Sequence, residues 1–130
     1  MEPSTLGGFM VSRKPSLDEI RLLSFLIHEA DDLVVSRDLY TQIKVADMED
    51  GGMGSLRLFP FGVELPETKF GKQISACLFT DKDGVEVIAS LNLDNNGNLY
   101  ELDIWKTNYA NLIHIPEASN FTMCQWGVHT

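Results

Sequence analysis

The heptapeptide YELDIWK at Tyr100–Lys106 gathers more chemistry-bearing side chains than any other stretch of the chain. In an extended strand successive side chains point to opposite faces. Glu101, Asp103 and Trp105 then share one face, and Tyr100, Leu102, Ile104 and Lys106 share the other. The preceding apolar run has Val85, Val87, Ala89, Leu91 and Leu93 on one face and Glu86, Ile88, Ser90 and Asn92 on its second. Register follows the hydrophobic pattern, so Leu102 and Ile104 are expected beside the apolar set. Glu101, Asp103 and Trp105 then join Glu86, Ser90 and Asn92. Two adjacent carboxylates can divide acid and base work only with pKa values driven apart in a pocket. The pattern supplies neither, so no catalytic residue is assigned. A tryptophan ringed by carboxylates instead suits recognition of a basic partner, against the plainer reading of a solvated outer face.

The second candidate is MEDGGMGSL at Met48–Leu56, where Gly51, Gly52 and Gly54 follow Glu49 and Asp50. A phosphate loop needs strand, glycines and then a helix N-terminus, with a Lys and Ser/Thr to follow. Leu56–Phe61 reads as strand, so the loop is expected to be a turn whose glycines supply positive φ. Glu49, Asp50 and Met53 are candidates for a second contact with a partner, against the plainer reading of a shared turn. DKDG at Asp81–Gly84 and DNNGN at Asp94–Asn98 echo fragments of a calcium loop, but lack its terminal Glu and flanking helices. His28, His114 and His129 are scattered, two cysteines this far apart make no zinc site, and no serine sits in G-x-S-x-G. No metal and no cofactor is expected.

The elements that position these residues are read from periodicity. Ser16–Glu19 (SLDE) has the form of a capping box, and Ile20, Leu23 and Ile27 recur at helical spacing. A helix is expected over residues 17–29. Leu33–Leu39 fits a short strand or a helical turn, Tyr40–Met48 alternates as a strand, and Ser55–Phe61 as another until Pro60. Lys72–Thr80, Val85–Leu93 and Leu99–Thr107 read as three strands joined by Asn/Asp/Gly turns. The expected fold is α+β, with one N-terminal helix packed on an antiparallel sheet that includes a C-terminal three-stranded meander. Residues 1–14 are expected as a flexible arm and 15–130 as a single domain. Phe121, Met123 and Trp126 are apolar enough to dock on this core or on another chain.

Composition narrows the function. The net charge is −9 over 130 residues, spread as 10 acids and 5 bases in the first 50 residues and 9 and 5 in the remainder. A nucleic-acid binder needs a basic footprint, so none is expected here. No apolar run reaches the roughly 20 residues of a membrane helix, and the first residues lack the pattern of a signal peptide. Cys77 and Cys124 therefore read as reduced thiols of a cytoplasmic protein.

DGGMGSLRL at Asp50–Leu58, DKDGVEVIASLNLD at Asp81–Asp94 and LYELDIWKTNYANLI at Leu99–Ile113 together resemble a family of small, uncharacterised bacterial proteins. That family shares a DGGMGS-like loop, a strand pair and an ELDxWK-like strand; the likeness runs from about Leu17 to Ile115. It carries no known activity and so no catalytic residue. What it implies is a likeness to small acidic immunity proteins of bacterial toxin systems, by analogy of size and fold. The first expectation is thus an acidic, non-catalytic interaction protein with a basic partner such as a toxin domain. The alternative is a small-molecule-binding domain or enzyme with a pocket between helix and sheet, lined by Trp105, Tyr100, Phe79 and Glu101. A structural or oligomer-forming module is a third class that the residues do not separate from these, and they set no oligomeric state.

Overall fold

A computed structural model describes residues 11–31 and 33–124. The chain runs α1 (Leu17–Glu29), α2 (Leu39–Gln42), β1 (Lys44–Asp47), β2 (Leu56–Phe59), β3 (Phe70–Thr80), β4 (Glu86–Asp94), β5 (Leu99–Lys106), a 3₁₀ turn (Ala118–Asn120) and β6 (Thr122–Met123). It is an α+β fold: the six strands form one antiparallel sheet in the order β1-β2-β5-β4-β3-β6. The consecutive strands β3, β4 and β5 pair in order. They occupy the middle of the sheet, with β1–β2 added beyond β5 and β6 beyond β3. The meander is thus interior and not the C-terminal end of the architecture.

Helix α1 starts where its cap dictates. Ser16 Oγ accepts the Glu19 N–H, and Glu19 Oε1 accepts the Ser16 N–H at 2.8 Å, which closes the capping box. Asp18 and Glu19 meet the positive end of the helix dipole. Leu22, Leu23, Leu26 and Ile27 then face β3 and β4. Opposite them the sheet offers Val45, Leu56, Cys77, Phe79, Val87, Ala89, Leu91, Leu102 and Ile104. These side chains make one core, and Phe121 closes it by stacking edge-on against Phe25 at 5.1 Å and tilted against Phe79 at 5.7 Å. Phe121 therefore docks on this chain; Trp126 lies outside the described residues.

One local reading is corrected. Tyr40–Met48 is not one strand. Residues 39–42 turn helically because the Asp38 carbonyl accepts the Thr41 and Gln42 N–H groups and Leu39 is buried as an anchor. Only Lys44–Asp47 is extended. Residues 1–10 of the expected arm lie outside the described residues, but Arg13 is fastened. Its backbone pairs with Val45 in both directions at 2.7 Å. Its guanidinium grips both oxygens of Glu19 at 2.9 Å and reaches Asp47 at 2.8 Å. Burial pushes the Glu19 carboxyl up, but Arg13 and the Ser16 N–H outweigh it and hold the group below its ordinary range.

Candidate functional site

The sheet has two faces, and β5 sorts its side chains between them. Leu102, Ile104 and Lys106 are buried on the helix side, whereas Asp103 and Trp105 are exposed and Glu101 is half-buried. The β4–β5 register sets Ile88 beside Trp105, Ser90 beside Asp103, and Asn92 beside Glu101. The expected row is therefore assembled, with exposed Glu86 at the start of β4. Tyr100 departs from the expected alternation. A bulge pairs Leu93 with Leu99 and Asn92 with Glu101, leaving Tyr100 as the extra residue on β5. Its ring lies 4.2 Å from the guanidinium carbon of Arg57, whose strand position faces Glu101.

The electrostatics of the row are uneven. Burial raises the Glu101 carboxyl above its ordinary value, the Asn92 amide partly offsets this, and Asp103 adds to it. Asn92 Oδ1 and Arg57 Nε are buried with no hydrogen-bond partner among the described residues. Asp103 is tied to the glycine loop, because Ser55 Oγ lies 3.3 Å from Asp103 Oδ1 and 3.1 Å from the Ile104 carbonyl, and accepts the Ile104 N–H at 2.9 Å. Trp105 is 38% exposed and Tyr109 is 69% exposed; their ring centres are 6.1 Å apart and tilted by 58°.

The glycine loop joins β1 to β2, and the Met48 N–H bonds back to the Ser55 carbonyl. Asp50 uses one oxygen on the Met53 N–H and the other on the Ser55 N–H. Gly51, Gly52 and Gly54 have φ of 77°, 84° and 101°. At Gly52 a Cβ would also meet Asn111, so the loop packs closely on the segment after β5. Glu49 is exposed, Met53 half-buried. The loop is a turn, and through Ser55 it sits beside the Asp103 end of the row.

DKDG serves a purpose that the sequence reading missed. Lys106, fully buried, donates to Asp81 Oδ2 at 2.8 Å, Asp83 Oδ2 at 2.7 Å and the Asn111 carbonyl at 3.0 Å. All three ammonium hydrogens thus have acceptors. Asp81 in turn accepts the backbone N–H groups of Lys82, Ile113 and His114. Burial pushes the Asp81 carboxyl up, but Lys106 and the N–H groups of Ile113 and Lys82 outweigh it and hold it low; Lys106 likewise lowers Asp83. Burial lowers the Lys106 ammonium, and the two carboxylates raise it above its ordinary value. The aspartates grip this chain's own cation. The available signal was a lysine on the apolar side of β5, one strand from a DKDG turn.

Phe79, Trp105, Tyr100 and Glu101 do not line one cavity: Phe79 lies in the core under α1, and the others lie on or toward the opposite face. A small groove of about 90 Å³ opens elsewhere, between Leu33, Val34, Leu39, Phe61 and Leu99. Among the described residues no cluster of three or more His, Cys, Asp or Glu could hold a metal ion. Both cysteines are free and buried; burial first, and Cys124 second, push the Cys77 thiol up to about 12. No helix among the described residues is long and apolar enough to cross a membrane.

A family model described as a domain of unknown function, DUF6984, matches residues 12–116. No curated protein and no solved structure matches the chain. The matched span covers α1, the glycine loop, DKDG and all of β5. The chain belongs to the DUF6984 family.

Proposed function

We propose that this member of the DUF6984 family is a non-catalytic interaction protein of a bacterial cytoplasm, an immunity protein that binds and neutralises a basic toxin domain. The observation that carries the reading is the row Glu101, Asp103 and Trp105 on the outer face of β5, in a chain of net charge −9. Trp105 offers apolar area and Asp103 an exposed charge, the combination from which interface anchors and rims are built. Glu86 and Asn92 extend the surface along β4, and Glu49 and Met53 of the glycine loop make a second contact beside Asp103. The surrounding negative field speeds encounter with a basic partner and weakens as salt rises.

The test is capture of a basic protein by the tagged full chain at low salt, with the partner identified and its toxicity measured on co-expression. Wild type should bind it, lose it as salt rises, and suppress its toxicity. Asp103→Lys should fold normally and fail at both tasks. Capture indifferent to this change would remove the outer face from the interface. A second reading, a small-molecule site, rests on the groove between Leu33 and Phe61, whose volume of about 90 Å³ suits only a very small ligand. Thermal stabilisation of the chain by members of a metabolite library, abolished by Phe61→Ser, would move the assignment there.

A further inference from the structure

Two aromatic–carboxylate pairs stand on the outer side of β5: Tyr100 with Glu101, and Trp105 with Asp103. The first is served from within the chain. The Arg57 guanidinium lies over Tyr100 at 4.2 Å and 5.8 Å from the centre of Phe59, and Arg57 faces Glu101 in the β2–β5 register. Its Nη2 is held by Thr68 Oγ1 at 2.8 Å. The second pair has no such cation among the described residues: no arginine or lysine lies over Trp105, and Asp103 makes no ion pair. The nearby ammonium of Lys106 is turned through the sheet and fully engaged.

We infer that the basic partner seats an arginine in the corner formed by Trp105, Tyr109 and Asp103. This deepens the proposed interface and rests on it. The rings of Trp105 and Tyr109 are tilted by 58° with their centres 6.1 Å apart, and both residues keep exposed area. A guanidinium is planar and weakly hydrated, so it stacks on indole at little desolvation cost, while its edge donates N–H groups to a carboxylate. Asp103 precedes Trp105 by two residues on the same face, and Ser55 occupies only one of its oxygens. A lysine ammonium is more strongly hydrated and presents no flat face to the ring. Ile88, half-buried opposite Trp105 in the β4–β5 register, adds apolar area beside it.

The test titrates the ¹⁵N-labelled full chain at low ionic strength with two capped pentapeptides, one arginine or one lysine flanked by glycines. The Trp105 indole N–H is assigned with Trp105→Phe. The arginine peptide should shift the Trp105 indole and Asp103 amide signals saturably, at a concentration at least threefold below that of the lysine peptide. Asp103→Asn should erase that preference while leaving the spectrum otherwise folded. Equal responses to the two peptides, or shifts confined to other surfaces, overturn the inference. The interface reading fails separately: it falls if capture of the basic protein ignores Asp103→Lys. It survives, and this inference alone falls, if capture is lost with that change but the peptides are not distinguished.

Discussion

Lys106 and Trp105 are neighbours on β5, and the pleat sends them to opposite sides of the sheet. On the helix side Lys106 is a charge enclosed by acceptors, each within 3.0 Å. On the outer side Trp105 is an apolar ring held at the surface among carboxylates whose oxygens are partly unengaged. Both are residues in the wrong solvent by simple partition. The buried ion is compensated inside the molecule; the exposed indole is not. A charge inside with its hydrogen bonds complete describes a structural knot, here tying the β3–β4 turn to the segment after β5. An uncompensated aromatic outside describes a surface that gains from a partner. Substitutions should therefore separate the two regions: stability changes on one side, binding changes on the other.

The largest effect is expected at Asp81. Asp81→Ala leaves the Lys106 ammonium and two N–H groups of the following segment short of acceptors, and removing one partner of a buried pair costs roughly 3–5 kcal/mol. Urea unfolding should show the loss, with the midpoint falling and little change at the Trp105 surface. A loss under about 1 kcal/mol would mean that the knot is open to water. Trp105→Ala should do the reverse. Its effect on capture of a basic partner should be about 2 kcal/mol, or roughly thirtyfold, if Trp105 is an anchor. Its effect on unfolding should be smaller, because part of the indole is already in water. Asp103→Lys should alter unfolding by no more than about half a kcal/mol while adding a salt-dependent repulsion toward the same partner.

The same contrast explains what could be seen in the sequence. Helix α1 was legible to its ends because its signal is local: a capping box followed by a 3.6-residue stripe. Strands β3, β4 and β5 were legible because their turns carry Asn, Asp and Gly and their faces alternate. The outer row followed from that alternation alone. Residues 39–42 were misread because Tyr40 to Met48 alternates by accident, and the deciding hydrogen bonds come from the Asp38 carbonyl. The placement of Tyr100 fails because it is the extra residue of a bulge in β5, which shows only in the pairing of β5 with Asn92 and Leu93 of β4. The Lys106 knot was missed because its members, Asp81, Asp83, Lys106 and Asn111, come together only in the folded sheet. Arg57 escaped for the same reason: its partners Tyr100 and Thr68 lie on other elements.

Acid and base should act on the knot from opposite ends. Asp81 and Asp83 are held below their ordinary 3.8, so their contribution is present above pH 3.8 and lost as pH falls through their folded values. Lys106 is raised above 10.5, so its contribution is complete below pH 10.5 and lost as pH rises through its folded value. Across neutral pH the knot should thus add no slope to stability. Chemical unfolding of Asp81→Ala and wild type at pH 5 and pH 8 checks this: the gap between them should stay constant. A gap that changes across this range would show a group of the knot titrating near neutrality.

The smallest effect belongs to Glu101, and its sign is opposite to that of the aspartates. Burial raises its carboxyl above the ordinary 4.5 despite the Asn92 amide. Between 4.5 and its folded value the native state binds more protons than the unfolded chain, so stability falls as pH rises through that window. Ionised Glu101 is then a mild liability to the fold at neutral pH, retained on a face where its charge can meet a partner. Glu101→Gln keeps the shape and an acceptor for Asn92 while removing the charge. It should raise stability at pH 7 by no more than about half a kcal/mol, and the gain should shrink as pH falls toward 4.5, because the native carboxyl takes up its proton above that value. Urea midpoints of the two proteins at pH 4.5, 5.5 and 7 measure this. If Glu101→Gln instead lowers stability at pH 7, the carboxylate is a net structural partner of Arg57, and the outer row loses one of its two spare charges.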